Sequence, residues 1–252
     1  MKQVFTGCFI VFFILLIQGC KQEMNLDPRD YFSGQQLMLA EAIETGDINE
    51  VSRLAPVTDL NTPGRDEMTL LFWALGNSLY DKKTPTHLKI ITLLVRAGAD
   101  PVPKGESSPA KFALKGDSGE WIKAMLDGGL SPDARDKVFN KPIIFQTIYA
   151  RNTETLKTML DAGADINITN SLGRTLLFAA LNYHAYDHVI LLLERGADPE
   201  IRADSGWTMG NQLERFLNRA KKDSEEYKKL TEIKEKLIQH GGKWPPDPVV
   251  KK

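Results

Sequence analysis

Two histidines four residues apart come closest, in type and spacing, to a metal site. His184 and His188 would lie on one face of a helix that contained both, and imidazole nitrogens are common zinc ligands. The sequence indicates no third ligand, and His188 begins an apolar run that should pack inside the fold. A zinc-dependent activity at this pair is one hypothesis. A structural role for both histidines is the interpretation that the sequence favours.

The sequence contains none of the short motifs that mark common catalytic sites. It has no glycine-rich phosphate loop, no Gly-x-Ser-x-Gly and no His-Glu-x-x-His. We therefore expect a protein that is not an enzyme and that uses no cofactor or metal. The chain has 32 basic and 33 acidic residues and a formal net charge of −1, which does not favour a nucleic-acid partner.

Cys20 is the other residue whose sequence context indicates chemistry, in this case covalent modification. Lys2 and the apolar run at 8–17 predict a signal peptide over residues 1–19. The sequence Ile17-Gln18-Gly19-Cys20 resembles the bacterial lipobox, in which cleavage leaves the cysteine first and lipids are attached to it. The resemblance implies a membrane anchor on Cys20. With Lys21 next to it, the resemblance also implies the periplasmic side of the envelope, at the outer rather than the inner membrane.

A repeated unit dominates the rest of the chain. Four glycines follow apolar helical runs at intervals of 31, 34 and 33 residues, namely Gly98, Gly129, Gly163 and Gly196. Glycine adopts positive φ without a Cβ penalty and commonly ends helices. A fixed period of this length predicts stacked helical repeats, in which each unit buries its apolar face against its neighbours.

The first half of each unit also repeats, at 69–75, 108–114, 142–148 and 175–181. These blocks resemble the Thr-Pro-Leu-His start of ankyrin repeats. The resemblance implies an all-α ankyrin solenoid of about five to six helix-turn-helix repeats with short finger loops. We expect it to span 35–245, after a lipidated cysteine and tether at 20–34 and before a tail at 246–252.

Both ends of the array are predicted to be caps. Residues 35–54 form a first helix pair, and Asp223 with Glu226 forms a capping box before a charged last helix. Two insertions break the period, at 76–87 and at 218–227. Insertions in repeat proteins emerge as loops, so both are expected to be surface loops, either in a binding face or simply tolerated.

The resemblance also implies where a partner would bind, because ankyrin proteins generally use the fingers and the exposed face of the first helices. Aromatic and arginine side chains often anchor such interfaces. The alternative for Trp73, Phe139 and Trp207 is packing between neighbouring fingers or helices. The finger candidates are Arg65, Asp66, Arg135, Asp136, Phe139, Asn170, Arg174, Arg202, Asp204 and Trp207, and the helix candidates are Trp73, Gln146, Tyr149 and Tyr183.

Bacterial proteins that combine a lipobox with ankyrin repeats resemble immunity proteins of antibacterial toxins, including phospholipases delivered by type VI secretion. This resemblance implies a monomer that binds and neutralises a toxin effector in the periplasm. The alternative is an envelope-stress scaffold that holds a resident periplasmic enzyme without inhibiting it.

Overall fold

The computed structural model describes residues 26–80, 84–105 and 108–250, and these ranges contain helices and turns but no strand. Short 3₁₀ turns lie at Pro28–Asp30, Ala55–Val57, Arg65–Glu67 and Ile143–Tyr149. The α-helices are α1 (Gly34–Thr45), α2 (Ile48–Leu54), α3 (Leu70–Tyr80), α4 (Thr84–Arg96), α5 (Pro109–Leu114), α6 (Glu120–Asp127), α7 (Glu154–Asp161), α8 (Leu176–Asn182), α9 (Tyr186–Glu194), α10 (Met209–Arg219) and α11 (Glu225–Gln239).

The repeat glycines end helices as the sequence predicts. Gly163 has φ 90° and Gly196 has φ 86°. After α7, the N–H of Gly163 donates to Leu160 O at 3.0 Å and the N–H of Ala164 donates to Met159 O at 3.1 Å. These bonds satisfy carbonyls that the helix end would otherwise leave open. The same pair of bonds recurs after α9.

The chain divides into two compact units. One unit extends to Pro109 and includes Lys123–Leu130, and the other comprises Ala110–Ile122 and everything from Ser131 onward. In the first unit, α1 packs on α2 and α3, and α4 packs on α3 and α2. In the second, the 3₁₀ turn Ile143–Tyr149 packs on α7 and α8, and α9 and α10 each pack on α8 and α11. The buried side chains between these helices are mainly leucine, isoleucine and alanine.

Side-chain amides and carboxylates tie successive repeats together within each unit. In the first unit, Asn61 Oδ1 accepts from the N–H of Asp100 at 2.8 Å. In the second unit, Asp133 Oδ1 accepts from the N–H of Asp165 at 2.8 Å, and Asn167 Oδ1 accepts from the N–H of Asp198 at 2.9 Å. In the second unit, the acidic or amide residue four positions after Gly129 and after Gly163 therefore links one turn to the next.

The predicted capping box at Asp223 is wrong. Asp223 has φ 69°, whereas an N-cap residue has an extended backbone, and Ser224 with φ −70° and ψ 157° takes that position. Ser224 Oγ accepts from the N–H of Tyr227 at 3.1 Å. A complete capping box forms instead at the start of α10, between Thr208 and Asn211.

The first insertion is not a loop in its described part. Residues 76–80 complete α3, and residues 84–87 form the first turn of α4. His87 in this turn is fully buried, and its Nε2 donates to Ile43 O at 2.9 Å. The added residues lengthen two helices because they supply buried side chains such as Ser78 and His87. The second insertion likewise begins inside α10 and ends inside α11, with residues 220–224 between them.

Candidate protein-binding surface

Three fingers project from the second unit, each a short hairpin closed by backbone hydrogen bonds. In the finger at 134–142, the N–H of Asp136 donates to Lys141 O at 2.9 Å. The finger at 169–175 is closed by the N–H of Asn170 to Arg174 O at 3.0 Å, and the finger at 202–208 by the N–H of Ala203 to Trp207 O at 2.9 Å.

Two of the predicted finger residues shape their own fingers. Asp136 Oδ1 accepts from the N–H groups of Val138 at 3.0 Å and Phe139 at 2.6 Å. Asn170 Oδ1 accepts from the N–H of Leu172 at 2.9 Å and of Arg174 at 3.1 Å. Short acidic and amide side chains commonly satisfy turn N–H groups in this way.

Asp136 was predicted to contact a partner, and the structure does not place it on the surface. It is 5% exposed, and its second oxygen lies 3.9 Å from Lys111 Nζ, which is also buried. The carboxylate turns inward because turn N–H groups and a buried ammonium group attract it there. Asp136 therefore supports the finger rather than displaying a charge to solvent.

The fingertips present apolar side chains to solvent. Phe139 is 70% exposed, Val138 is 43% exposed and Leu172 at the tip of the next finger is 51% exposed. Exposed residues of this size are typical of interaction surfaces when they lie together. Of these, the sequence predicted only Phe139. Val138 and Leu172 follow the turn-forming Asp136 and Asn170 at the same offset of two residues, and that offset was the signal that could have found them.

A pair of tyrosines lies at the ends of two first helices. The rings of Tyr149 and Tyr183 meet edge to face with centroids 5.3 Å apart, and the two residues are 45% and 56% exposed. Partial burial and the hydrogen bond with Tyr183 raise the pKa of Tyr149 to about 12. The Tyr149 hydroxyl therefore stays protonated at neutral pH. Both tyrosines were predicted to contact a partner, and so was Gln146, which is half-buried and precedes Tyr149 by one turn.

Cationic groups lie over the aromatic rings of the second unit. Lys115 Nζ lies 5.8 Å from the centroid of the Tyr149 ring, and Lys141 Nζ lies 5.4 Å from that of Phe145. The guanidinium of Arg174 is 5.5 Å from the Phe178 ring, and that of Arg215 is 5.8 Å from the Trp207 ring. These distances fall within the range of cation–π attraction. The sequence predicted Arg174 and Trp207, but neither lysine nor Arg215.

The other two arginines predicted in this unit bind finger carbonyls. Arg135 donates to Asn140 O at 3.0 Å within its own finger and to Thr169 O at 3.3 Å at the base of the next. Arg202 donates to Gly206 O at 2.8 Å and to Pro248 O at 3.3 Å. Asp204 is exposed, and its N–H donates to Leu172 O at 3.1 Å. These contacts fix the fingers beside one another.

In the first unit, the predicted surface position of Trp73 is wrong. Trp73 is 3% exposed, and its indole N–H donates to Ala40 O at 2.9 Å. Its ring packs against Tyr31 and Phe32, with centroids at 6.0 Å and 5.9 Å, so it belongs to the core. Arg65 and Asp66 are exposed in a turn.

The two histidines have separate structural roles. His184 lies in the turn before α9 with φ 57°, stacks on Phe216 with centroids 5.2 Å apart, and has its Nδ1 2.6 Å from the Tyr186 hydroxyl. His188 is buried in α9, where burial lowers its pKa. Residues 26–80, 84–105 and 108–250 hold no group of three or more His, Cys, Asp or Glu residues that could bind a metal ion.

The predicted signal peptide and Cys20 lie outside the described residues. Among the helices that the structure describes, none is long and apolar enough to cross a membrane.

Comparison with known proteins agrees with the geometry. The family model for three copies of ankyrin repeats matches residues 111–203. The ankyrin repeat domain of Bcl-3 superposes with a TM-score of 0.61 over 82% of this chain and 86% of that one, at 23% identity. The chain has the ankyrin-repeat fold. Ankyrin repeats bind other proteins and generally serve as non-enzymatic scaffolds, so residues 111–203 match a protein-interaction module.

Two further relatives come from bacteria. Protein PhlB of Serratia liquefaciens is 26% identical over 168 residues, which is 66% of this chain and 70% of PhlB. A chain in the structure of the predatory endopeptidase Bd0816 from Bdellovibrio bacteriovorus in complex with immunity protein Bd3460 superposes with a TM-score of 0.50. That likeness covers 77% of this chain and 97% of the other, at 23% identity.

Proposed function

We propose that this protein is a lipid-anchored immunity protein that binds and neutralises an antibacterial toxin on the periplasmic side of the envelope. The observation that carries the proposal is the exposure of apolar and aromatic side chains on the fingers and first helices, namely Val138, Phe139, Leu172, Tyr149 and Tyr183. Rigid aromatic side chains contribute large contact areas at little entropic cost, and they dominate binding energies at protein interfaces.

Two further points support the toxin as partner and the envelope as location. The structure that includes an immunity protein is one of the similar folds. The lipobox at Ile17-Gln18-Gly19-Cys20 would place acyl chains on the mature N-terminus, and two or more chains anchor a protein stably. A type VI phospholipase is the toxin class that the sequence resemblance implies, and an anchor at the membrane would hold the inhibitor beside that enzyme's substrate.

Capture followed by inhibition tests the binding role. The full-length protein with a C-terminal tag is crosslinked in its own cells, and co-purifying exported hydrolases are assayed with and without it. We expect one hydrolase to be inhibited at equimolar ratio. We expect Phe139→Ser to raise the inhibition constant about tenfold or more, as loss of an aromatic anchor does.

The matched control is Val57→Ser, which removes a 63% exposed apolar side chain from the first unit. It should leave inhibition unchanged. A captured resident enzyme with full activity would contradict the proposal and support the scaffold alternative. A competition assay gives the second readout, because a strain without this protein should be killed by toxin-producing neighbours.

The anchor needs its own test. Cys20→Ser should abolish palmitate labelling and release the protein from outer-membrane fractions. Labelling that persists in the variant, or a soluble wild-type protein, would refute the lipid anchor.

A further inference from the structure

Positive charge gathers at one place in the second unit, around Tyr149. Lys115 Nζ lies over the Tyr149 ring, and Lys141 Nζ lies over Phe145 one turn earlier on the same 3₁₀ helix. The pKa of Lys115 is lowered by burial and then by the positive charges of Lys111 and Lys141. Like charges this close repel one another, so an anion that entered among them would be stabilised.

Hydrogen-bond donors and exposed aromatic surface adjoin these lysines. Tyr149 touches Tyr183 edge to face at 5.3 Å, and both rings are about half exposed, at 45% and 56%. Because the two hydroxyls share one hydrogen bond, the pair keeps one O–H donor for a carboxylate, while each ring can cover an apolar side chain. We define Lys115, Lys141, Tyr149 and Tyr183 as the lysine–tyrosine patch.

We propose that the lysine–tyrosine patch binds an acidic segment of the partner protein, in which Asp or Glu residues alternate with aromatic or aliphatic ones. Carboxylates would meet the two ammonium groups and the one O–H donor, and the apolar side chains would lie on the two rings. The inference rests on the proposed function, because it specifies the chemistry of the partner that the fingers and first helices take.

The geometry favours a protein segment over a membrane surface. Anionic lipids attract basic side chains that project from a protein surface, whereas of the two lysines in the patch only Lys115 is exposed and Lys141 is half-buried beside Phe145. The exposed faces of Tyr149 and Tyr183 also offer aromatic surface that an apolar side chain of a peptide can cover. Complementary charge of this kind speeds association and sets specificity.

The test is a binding titration with full-length protein in a non-ionic detergent. The probe is a fluorescent peptide of glutamates interrupted by tyrosines, and its counterpart has glutamine at every glutamate. We expect the acidic peptide to bind at least about tenfold more tightly than the neutral one. We expect this preference to collapse between about 0.1 M and 1 M salt, where the Debye length falls from about 10 Å to about 3 Å.

Charge reversal locates the site. Lys115→Glu with Lys141→Glu should weaken binding of the acidic peptide about tenfold or more, while Lys221→Glu with Lys222→Glu, an equal charge change at exposed positions between α10 and α11, should stay within about twofold. Lys115→Glu alone, at an exposed side chain, keeps the test valid if the double variant does not fold. Equal losses in both pairs, or equal affinity for the two peptides, would overturn the proposal.

Two further experiments distinguish an acidic peptide from other anionic ligands. Displacement of the peptide by millimolar inorganic phosphate would overturn the assignment in favour of a phosphate site. Vesicles of phosphatidylglycerol that bind through these lysines, while the peptide does not, would overturn it in favour of a membrane surface.

The two proposals can fail separately. If a captured hydrolase is inhibited equally by the wild-type protein and by the Lys115→Glu, Lys141→Glu variant, the acidic-segment proposal is wrong and the immunity function stands. If the peptide behaves as expected but no exported hydrolase is inhibited, the immunity function is wrong and the acidic-segment site stands.

Discussion

Replacing Asp136 with alanine should destabilise the protein strongly, although sequence reasoning placed this residue at a binding surface. The side chain is 5% exposed, accepts two backbone N–H bonds and lies 3.9 Å from the Lys111 ammonium. Loss of a capping side chain costs about 0.5–2 kcal/mol. Removing one partner of a buried ion pair costs about 3–5 kcal/mol. Because these contributions overlap, we expect a total loss of about 3–4 kcal/mol.

The assay is equilibrium urea denaturation, followed by circular dichroism, with Asp204→Ala as the matched control. Asp204 is an exposed aspartate in another finger of the same unit, so its replacement should change the free energy of unfolding by less than about 0.5 kcal/mol. Asp136→Asn keeps an acceptor for the N–H groups but not the charge, and should fall between the two. An Asp136→Ala loss below about 1 kcal/mol, or equal to that of Asp204→Ala, would refute the structural role.

Three other substitutions distinguish residues exposed at the surface from residues that support the fold. Phe139→Ser, at a 70% exposed position, should lower the free energy of unfolding by less than about 0.5 kcal/mol in urea denaturation while weakening partner binding. A larger loss of stability would contradict the exposure of the Phe139 side chain. Gly163→Ala introduces a Cβ that has no heavy atom within 4 Å, but the backbone there has φ 90°. Backbone strain alone should therefore lower the free energy of unfolding by about 1–2 kcal/mol, and an unchanged free energy would contradict this strain. Burial lowers the pKa of His188 while the neighbouring Asp187 opposes this, so the unfolded chain, with a pKa near 6.5, takes up the proton first. The free energy of unfolding should therefore fall from pH 7 to pH 5, and it should fall by less in the His188→Asn variant. An equal fall in the wild-type protein and the variant would exclude His188 as a source of this pH dependence.

The fold was predictable because its signals repeat. A glycine with positive φ is needed wherever a helix ends in this geometry, and the same requirement at Gly98, Gly129, Gly163 and Gly196 makes the period visible in one sequence. The insertion at 76–87 was not predictable in this way. Its described residues, 76–80 and 84–87, extend α3 and α4, and the burial of His87 against Ile43 O distinguishes that outcome from a loop.

For the candidate surface, the sequence predicted positions but not side-chain orientations. Tyr149 and Tyr183 lie at the ends of the first segments of successive repeats, and their rings meet. Trp73 has the residue type of an interface anchor, but its indole N–H donates to Ala40 O and its ring packs in the core. Type and repeat position do not determine whether a side chain has a partner within the fold.

The polar finger residues show why the orientation of a side chain could not be predicted from the sequence. A hairpin of this length leaves N–H groups at its tip that need acceptors, and a short carboxylate or amide at its start is the nearest one. Asp136 and Asn170 meet that need, and each turns toward its own backbone. The side chains two and three residues later must then point outward, which exposes Val138, Phe139 and Leu172. In these two fingers the polar residue supports the turn, and the apolar residues beyond it are exposed to solvent.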